Sequence, residues 1–411
     1  MFFIHAPHAL KAKISLPPSK SISNRALILN GLCDSPRPIM NLSACDDTAV
    51  VVEALRADRP MINVGAAGTA MRFLTAYLAG KPGEYWLTGT ERMKNRPIKL
   101  LVEALRHVGA QIEYLEKEGY PPLHIKGQPL RGGEMELDGS ISSQYVSALL
   151  MMAPTMTNGL RLHLTGEIVS MSYINLTLQL MAQFGVIVFK VGNTLTVLPQ
   201  PYDLHDDFIV ESDWSAASYW YELVALCPSG DATVTLNGLW PDSLQGDASI
   251  AELFDPLGVK TSFHPSGVVL TKKQCAAASP LAFDFTSMPD MAQTLAVTCT
   301  MLHVPFRFTG LQSLKIKETD RLLALKTELQ KLGYLLEIQN DNTLSWNGDR
   351  CEVATAPVIA TYEDHRMAMA FAPASLRMEH GIQIADPHVV SKSYPSFWND
   401  LKKANFLIHE S

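Results

Sequence analysis

The sequence predicts an α/β fold of two domains, each built from three βαβαββ units. Two observations support this prediction. An apolar segment that follows a short polar turn recurs six times along the 411 residues. Four glycines that end amphipathic segments lie at positions 109, 185, 258 and 333, and subtraction gives separations of 76, 73 and 75 residues. A nearly constant period indicates one supersecondary unit repeated along the chain.

Six buried helices are predicted from the apolar segments. Each segment is apolar nearly all round, which is typical of a helix that is buried on every side. The segments are SKSISNRALILNGL from Ser19, AAGTAMRFLTAYLAG from Ala66, SSQYVSALLMMAP from Ser142, SDWSAASYWYELVAL from Ser212, MPDMAQTLAVTCTML from Met288 and DHRMAMAFAPASL from Asp364.

A second, amphipathic helix is predicted later in each unit. In four units it ends at one of the spaced glycines, in LVEALRHVGAQIEYL, LTLQLMAQFGVIVFK, IAELFDPLGVKTSFH and LALKTELQKLGYLLEI, and a strand-like run follows. Glycine fits the left-handed position that closes many helices. The segments DDTAVVVEALRAD and SYPSFWNDLKKANF predict the corresponding helices of the first and last units.

The repeats also predict the domain boundaries. Residues 19–211 hold three units and form the predicted first domain, and residues 212–411 hold the other three. The segment 1–18 is too short to be a unit, so we expect it to join residues 212–411 in the second domain. Two domains also agree with the length of the chain.

Composition limits the class of protein. The net charge is −7, and 47% of the residues are hydrophobic and 18% charged, which is typical of a globular protein and argues against a general nucleic-acid binder. Six scattered cysteines without a C-x-x-C pair predict buried thiols in a reducing compartment. The sequence lacks a membrane-length apolar run, a signal-peptide core and metal-binding histidine spacing. We expect a cytoplasmic chain.

Positive side chains stand at predicted helix starts. In LPPSKSISNRAL, Lys20 and Arg25 lie where unpaired N–H groups and the helix dipole favour an anion. Alternatively, Ser21 or Ser23 caps an ordinary helix and both cations face water; this stretch alone leaves both interpretations open. Gly68 offers bare backbone N–H groups of the kind that hold phosphate or carboxylate.

Seven cations in such positions predict a polyanionic ligand. They are Lys20, Arg25, Arg96, Lys317, Arg321, Arg366 and Lys392, with Asp290 and Glu318 as acids in comparable positions. Two like charges ~4 Å apart repel by about 4 kcal/mol at an effective dielectric constant of ~20. Lys317 and Arg321 could instead pair with nearby acids. Taken together, the seven favour small substrates that carry phosphates and carboxylates.

Eight motifs carry a resemblance to a known family over essentially the whole chain. PSKSISNRAL, AGTAMR, RMKNRP, DGSISSQY, PDMAQT, KETDR, DHRMAMAF and SKSYPSF occur in the family's order. The chain resembles the 5-enolpyruvylshikimate-3-phosphate synthase family. The resemblance implies a two-domain inside-out α/β barrel in which each domain has three βαβαββ units.

The resemblance also implies an activity. The family transfers the enolpyruvyl (1-carboxyvinyl) group of phosphoenolpyruvate to the 5-hydroxyl of shikimate 3-phosphate and releases phosphate, the sixth step of the shikimate pathway to chorismate and aromatic amino acids. It implies addition and elimination through a tetrahedral intermediate in a closed interdomain cleft. No organic or metal cofactor and no nucleic-acid or membrane partner is implied, and a monomer is expected.

Site residues are carried over by motif. The resemblance implies that Asp290 is the general base, that Glu318 transfers a proton at the methylene carbon, and that Lys20 steadies the leaving phosphate. The implied shikimate 3-phosphate ligands are Lys20, Ser21, Arg25, Ser142, Ser143, Gln144, Ser170, Tyr173, Asp290, Ser313 and Lys317. The implied phosphoenolpyruvate ligands are Lys20, Gly68, Arg96, Gln144, Arg321, His365, Arg366 and Lys392.

The sequence departs from the family pattern at a few positions. Ala66 replaces a common asparagine, Phe73 a frequent proline, and Met171 with Ser172 a common Lys-Pro pair, while Ser313 stands where asparagine often contacts shikimate 3-phosphate. None of these changes removes a catalytic group. Ala66 and Phe73 flank the Gly68 region, where glyphosate competes with phosphoenolpyruvate, so ordinary turnover with altered inhibition is expected.

Three alternative functions remain to be weighed. UDP-N-acetylglucosamine enolpyruvyl transferase shares the fold and cosubstrate, but its loop cysteine and N-terminal Lys-Asn pair are missing here. A non-catalytic sensor of phosphorylated metabolites would have lost Asp290, Glu318 or an arginine. An RNA-processing enzyme on a related repeat is disfavoured by the acidic charge.

Overall fold

The chain folds into two compact units. The computed structural model describes residues 1–56, 59–277 and 280–410. One unit, called the N-unit here, comprises Pro18–Val210. The other, called the C-unit, comprises Met1–Pro17 together with Glu211–Ser411.

The strands are short and alternate with the helices. Those of the described residues are β1 Phe2–His5, β2 Lys11–Ser15, β3 Ile39–Met40, β4 Met61–Asn63, β5 Gly83–Thr88, β6 Gln111–Tyr114, β7 Leu123–Gly127, β8 Gly133–Asp138, β9 Leu160–Thr165, β10 Val188–Val191, β11 Thr194–Val197, β12 Phe208–Ile209, β13 Thr233–Asn237, β14 Val259–His264, β15 Gly267–Lys272, β16 Leu281–Asp284, β17 Phe306–Thr309, β18 Glu337–Gln339, β19 Thr343–Trp346, β20 Val358–Ile359, β21 Ile382–Ile384 and β22 Leu407–Glu410.

The α-helices range from four to thirteen residues in length. Those of the described residues are α1 Lys20–Gly31, α2 Asp46–Arg56, α3 Gly68–Gly80, α4 Glu91–Lys94, α5 Lys99–His107, α6 Ser143–Met152, α7 Met171–Gln183, α8 Trp214–Leu226, α9 Ile250–Leu253, α10 Ala292–Met301, α11 Arg321–Lys331, α12 His365–Phe371 and α13 Phe397–Lys403. Several 3-10 turns lie between them.

The N-unit contains two four-stranded sheets, in the orders β4-β5-β7-β6 and β10-β11-β9-β8, and the two-stranded pair β12-β3. In each four-stranded sheet one pair is parallel and two are antiparallel. Helix α3 packs against α6 and α1, and α7 packs against α1 and α6. The first repeat contributes only the parallel two-stranded ribbon β12-β3, where the other repeats have a four-stranded sheet. A parallel bridge between Cys33 and Tyr202 extends this ribbon.

The C-unit contains three four-stranded sheets with the same mixture of pairings. Their orders are β14-β15-β13-β2, β16-β17-β19-β18 and β20-β21-β1-β22. Strand β2 is parallel to β13, and β1 lies antiparallel between β21 and β22. The first two strands of the chain thus complete two sheets of the C-unit. Within the described ranges every sheet is open, and no closed barrel forms.

Buried helices form the centres of both units, which confirms the prediction from the apolar segments. Nearly every residue of α3, α8 and α10 is buried. In α8, Trp214 and Trp220 are fully enclosed, and full burial of a large apolar side chain contributes about 1.5–3 kcal/mol. The α/β class predicted from the repeats is likewise confirmed.

The four spaced glycines adopt the predicted left-handed backbone, with φ of 108°, 81°, 94° and 90° at Gly109, Gly185, Gly258 and Gly333. A helix forms before Gly258 as predicted, but it is only the single turn α9, which follows the 3-10 turn Gly246–Ser249. Pro256 disfavours helical geometry at the preceding residue, which ends the helix early. At the last repeat Asn405 takes the place of glycine, with φ 67°.

Two further predictions concern membranes and thiols. Over the described part of the chain, no helix is long and apolar enough to cross a membrane. All six cysteines are free thiols. Cys33, Cys45, Cys227 and Cys299 are buried as predicted, whereas Cys275 and Cys351 are only half-buried.

Candidate active site

The start of α1 is capped by Ser19, whose hydroxyl accepts a hydrogen bond from the Ile22 amide over 3.4 Å. The alternative in which Ser21 or Ser23 caps this helix is therefore wrong. The Ser23 hydroxyl instead accepts from the Ser43 amide over 3.0 Å. Lys20, the first residue of α1, lies 3.4 Å from the Asp47 carboxylate. Ser21 lies in the first turn of α1, next to Lys20, and does not cap the helix.

Arg25 is a buried cation whose hydrogen-bond partners among the described residues are neutral groups. Its Nε donates to the Thr177 hydroxyl over 2.7 Å, and its Nη1 to the Ser21 carbonyl over 3.0 Å. Longer contacts of 3.3 and 3.5 Å reach the Ser147 hydroxyl and the Tyr173 carbonyl. None of the carboxylates in the described ranges pairs with Arg25. Burial lowers the pKa of Arg25 to about 10, so its positive charge calls for an anion.

Aromatic rings cover two sides of the Arg25 guanidinium. Its Cζ lies 5.2 Å from the Phe73 ring centroid and 6.0 Å from that of Tyr173. Such contacts stabilise a cation by about 0.5–2 kcal/mol. They orient the guanidinium without neutralising it, which leaves its charge available to a ligand.

The start of α3 combines a bare backbone with an arginine. A methyl group added at Gly68 would lie 2.5 Å from Arg96 Nη1, so the guanidinium sits directly over the first helical residue. The preceding residue, Ala67, provides no side-chain cap. The next residue, Thr69, accepts from Gln144 Nε2 over 3.2 Å. Backbone amides without a side-chain cap, a cation and an amide side chain together suit a phosphate or carboxylate.

The starts of α6 and α7 present hydroxyl groups. Ser142 caps α6 by accepting from the Gln144 amide over 3.3 Å, and Ser143 begins that helix in a buried position. Ser170 precedes α7 with a left-handed backbone at φ 54°. A residue other than glycine held in that region costs about 1–3 kcal/mol, and such strain is frequent at functional sites. Tyr173 follows in the first turn of α7.

In the C-unit, Asp290 lies among three cations. Its carboxylate is 2.8 Å from Arg321 Nη1, 3.2 Å from Arg366 Nη2 and 3.6 Å from Lys317 Nζ. Asp290 lies in a 3-10 turn that leads into α10, and Arg321 and Arg366 lie in the first turns of α11 and α12. The repeat therefore brings three helix starts to one carboxylate.

Glu318 and Asp364 extend this cluster. Glu318 pairs with Lys392 over 2.8 Å and with Arg321 Nη2 over 3.0 Å. Asp364 caps α12 and binds Arg321 Nε over 2.7 Å. His365 is buried, with its Nδ1 3.7 Å from the Asp364 carboxylate. The alternative in which Lys317 and Arg321 pair with nearby acids is confirmed. Carboxylates also pair with Arg366 and Lys392.

The charged groups of the C-unit cluster shift one another's pKa values. Burial acts to raise the pKa of Asp290, but Arg366, Lys317 and Arg321 outweigh burial and hold that pKa well below its usual range. Burial lowers the pKa of Lys317, although Asp290 opposes the shift. Burial also acts against the charge of Arg321, but Asp364, Glu318 and Asp290 raise its pKa. Asp290 is therefore a carboxylate and a weak base in this arrangement.

Ser313 is placed differently from the other predicted residues. It lies buried in the 3-10 turn Gln312–Ile316, just before Lys317. Its hydroxyl has no hydrogen-bond partner within the described segments. A buried hydroxyl without a partner is uncommon, and it is available to a ligand.

The predicted residues fall into two clusters, one in each unit. The N-unit holds Lys20, Ser21, Arg25, Gly68, Arg96, Ser142, Ser143, Gln144, Ser170 and Tyr173, and the C-unit holds Asp290, Ser313, Lys317, Glu318, Arg321, His365, Arg366 and Lys392. Sequence reasoning missed Thr177, Ser215, Asp247 and Asp364. Only Asp364 gave a signal, because it directly precedes an apolar helix at the capping position. As far as the structure describes the chain, no group of three His, Cys, Asp or Glu side chains could hold a metal.

Comparison of the sequence with known proteins identifies the family of this chain. The family model described as EPSP synthase (3-phosphoshikimate 1-carboxyvinyltransferase) matches residues 4–59 and 56–401. A Bacteroides fragilis (strain YCH46) protein named 3-phosphoshikimate 1-carboxyvinyltransferase is 57% identical over 406 residues, which cover 98% of each chain. A Photobacterium profundum protein of the same name is 38% identical, over 95% of this chain and 96% of the relative.

A solved structure supports the fold. EPSP synthase from Acinetobacter baumannii superimposes with a TM-score of 0.79 over 100% of this chain and 99% of the other, at 20% sequence identity. The fold and the two clusters define an α/β protein whose helix starts carry cations and hydroxyl groups. The chain belongs to the EPSP synthase family.

Proposed function

We propose that this chain transfers the enolpyruvyl group of phosphoenolpyruvate to the 5-hydroxyl of shikimate 3-phosphate and releases phosphate. Membership of the family gives the chain the reaction in the family's description, 3-phosphoshikimate 1-carboxyvinyl transfer, in the shikimate pathway. The single structural observation that carries the proposal is Arg25, a buried guanidinium without a carboxylate partner in the described segments.

The N-unit cluster fits shikimate 3-phosphate. A phosphate would neutralise Arg25, and hydroxyls at helix starts would donate to its oxygens. The groups assigned to this substrate are Lys20, Ser21, Arg25, Ser142, Ser143, Gln144, Ser170 and Tyr173, together with Asp290, Ser313 and Lys317 of the C-unit. The unpartnered Ser313 hydroxyl supports its place in this set.

Phosphoenolpyruvate is assigned to the remaining cations. They are Lys20, Arg96, Arg321, Arg366 and Lys392, with Gly68, Gln144 and His365. Arg321, Arg366 and Lys392 pair with Asp290 or Glu318, so a bound phosphate and carboxylate would compete with these acids for the cations. When a substrate anion pairs with these cations, they act less strongly on the Asp290 carboxylate. The pKa of Asp290 then rises, and Asp290 becomes a stronger base.

The chemistry then needs four proton transfers, two in each of its two steps. Asp290 takes the proton of the 5-hydroxyl as its oxygen attacks C2. Glu318, which takes up a proton from solvent when the bound substrates draw Arg321 and Lys392 away from it, gives that proton to the methylene carbon, and a tetrahedral intermediate forms. In the second step the new methyl group returns a proton to Glu318, the bond between C2 and the phosphate oxygen breaks, and the proton on Asp290 leaves with phosphate. Lys20 stabilises the charge of the departing phosphate.

The residues assigned above supply all the proton transfers, so we propose that no cofactor takes part. The buried free thiols support a cytoplasmic location, and we propose a monomer. Ala66 and Phe73, beside Gly68 and Arg25, support a glyphosate inhibition constant that differs from relatives with asparagine and proline there.

Phosphate release tests the proposal. The purified chain is incubated with phosphoenolpyruvate and shikimate 3-phosphate, and in parallel with phosphoenolpyruvate and UDP-N-acetylglucosamine. We expect phosphate release only with shikimate 3-phosphate. Release with the sugar nucleotide alone, or with neither acceptor, would overturn the proposed function.

A further inference from the structure

A segment outside the predicted site is tied to the start of α8. Gln245 donates to the Glu211 carboxylate over 2.7 Å and to the Ser212 carbonyl over 2.8 Å, and it accepts from the Trp214 amide over 3.1 Å. Two residues further on, the buried Asp247 accepts a short hydrogen bond from the Ser215 hydroxyl. The segment around Gln245 therefore fixes Asp247 against the first turn of α8.

Ser215 links Asp247 to the C-unit cluster. Arg366 Nη2 donates to the Ser215 hydroxyl oxygen over 3.4 Å and to Asp290 over 3.2 Å. A hydroxyl has one hydrogen and two lone pairs. Because its hydrogen goes to Asp247, a lone pair faces Arg366. The carboxylate thus decides which way the hydroxyl points.

We propose that Asp247 is a positioning residue that holds Arg366 in place through Ser215 and so sets the affinity for phosphoenolpyruvate. The inference rests on the proposed function, in which Arg366 binds that substrate. Burial raises the pKa of Asp247 to about 6, against the Ser215 hydrogen bond and the charge of Arg366. Near pH 8 Asp247 is therefore ionised and can only accept a hydrogen bond.

The substitution Asp247→Asn tests the direction of the hydrogen bond with little change in shape. The amide nitrogen can donate to Ser215, which turns the hydroxyl hydrogen toward Arg366 and opposes its contact. We expect the KM for phosphoenolpyruvate to rise about tenfold, the size of one lost hydrogen bond to a charged group. We expect the Kd for shikimate 3-phosphate alone to change less than about twofold, because Arg25 of the N-unit provides its main charge.

Two further variants separate positioning from a structural role. Ser215→Ala should raise the same KM, and the double variant should be no worse than the stronger single variant, because both act through one contact. Asp255→Asn is the matched control, since Asp255 is exposed and pairs with Lys273 over 2.6 Å, and it should leave both constants unchanged. An unchanged KM in Asp247→Asn, or equal losses for both substrates with a lower Tm, would overturn the inference.

The proposed function and this inference can fail separately. If the unsubstituted chain releases no phosphate, the proposed function fails, and crystal structures of the chain and of Asp247→Asn then test positioning directly. We expect Arg366 Nη2 to move away from Ser215 in the variant. A guanidinium that keeps its place would overturn the positioning role whatever the activity.

Discussion

Arg321 Nη1 donates to Asp290 over 2.8 Å, so the proposed general base is also a member of a partly buried ion pair. With Arg366 and Lys317 on the same carboxylate, Asp290 is held in its charged form. A carboxylate with such a low pKa is a weak base until a substrate anion pairs with the surrounding cations in its place. Substrate binding and base strength are therefore coupled through the same side chains.

Replacement of Asp290 by asparagine should slow turnover strongly and spare substrate binding. A positioned general base contributes roughly 10²–10⁴-fold to a rate, so we expect Asp290→Asn to lower kcat by that range. Calorimetric titration should show shikimate 3-phosphate binding within about fivefold of the unsubstituted chain, since the amide keeps the shape and Arg25 is untouched. Asp255→Asn serves as the control with unchanged kcat. Full turnover in Asp290→Asn would remove Asp290 from the proton-transfer step.

Asp290 should also make stability depend on pH. Its folded pKa lies well below its ordinary value of 3.8, so the folded chain gains stability above that value and loses it as the pH falls through the folded pKa. Urea unfolding should therefore show Asp290→Asn less stable than the unsubstituted chain at pH 7. The difference in the free energy of unfolding between the two proteins should be smaller at pH 3. An equal difference at pH 7 and pH 3 would contradict the ion-pair account.

Arg25→Met separates ligand binding from folding. Without the guanidinium, affinity for shikimate 3-phosphate should fall about 10–100-fold, because hydrogen bonds to charged groups are worth about 1.5–3 kcal/mol. The free energy of unfolding should stay level or rise, since replacing an uncompensated buried charge by an apolar chain removes a desolvation cost.

A matched control for Arg25 is Arg106→Met. Arg106 donates to the Ile112 carbonyl over 3.0 Å, and its loss should leave substrate affinity unchanged. Arg25→Met that binds shikimate 3-phosphate normally would show that the buried charge serves the fold alone.

A methyl group at Gly68 should disturb one substrate only. In Gly68→Ala the new Cβ would meet Arg96 Nη1 at 2.5 Å, and the flexible arginine would have to move. We expect the KM for phosphoenolpyruvate to rise about tenfold, the cost of a displaced charged hydrogen bond, and shikimate 3-phosphate affinity to persist. Gly230→Ala, whose Cβ would enter open space, should change neither constant. Equal effects on both substrates would contradict the assignment of Gly68.

Glu222 offers a test outside the site. Burial in α8 raises the pKa of Glu222 well above 4.5, more than a Thr298 contact lowers it. As the pH rises above 4.5, the unfolded chain releases this proton and the folded chain keeps it, so folding stability falls. Glu222→Gln should be more stable than the unsubstituted chain at pH 8, and the two should be equally stable near pH 4. Glu352→Gln, at an exposed position, should show no such difference in urea unfolding.

The parts of the fold that the sequence predicted are those fixed by local patterning. Apolar segments mark the buried helices, and spaced glycines mark the helix ends, because both signals depend on a few neighbouring residues. The early end of α9 was not predicted, since Pro256 interrupts an otherwise helical pattern. The first repeat's two-stranded ribbon was also not predicted, because pairing depends on partners far along the chain.

The site follows the same rule. Charged residues at helix starts could be selected from motifs, whereas their partners could not. Thr177 is 152 positions from Arg25, and Asp247 is 32 positions from Ser215, so only the folded chain shows these contacts. The pairing of Arg321 with Asp364, 43 positions away, likewise explains why the sequence suggested more uncompensated charge in the C-unit than the structure contains.

Proton NMR of the complete reaction in D₂O tests the central claim most directly. The chain is mixed with phosphoenolpyruvate and shikimate 3-phosphate, and the product's methylene signals are followed. Addition and elimination through a methyl-bearing intermediate predicts an enol ether on the 5-oxygen with deuterium in its methylene group, because Glu318 would deliver a deuteron before the methyl group loses one hydrogen. An enol ether whose methylene group carries only protium, or no enol ether at all, would contradict the account.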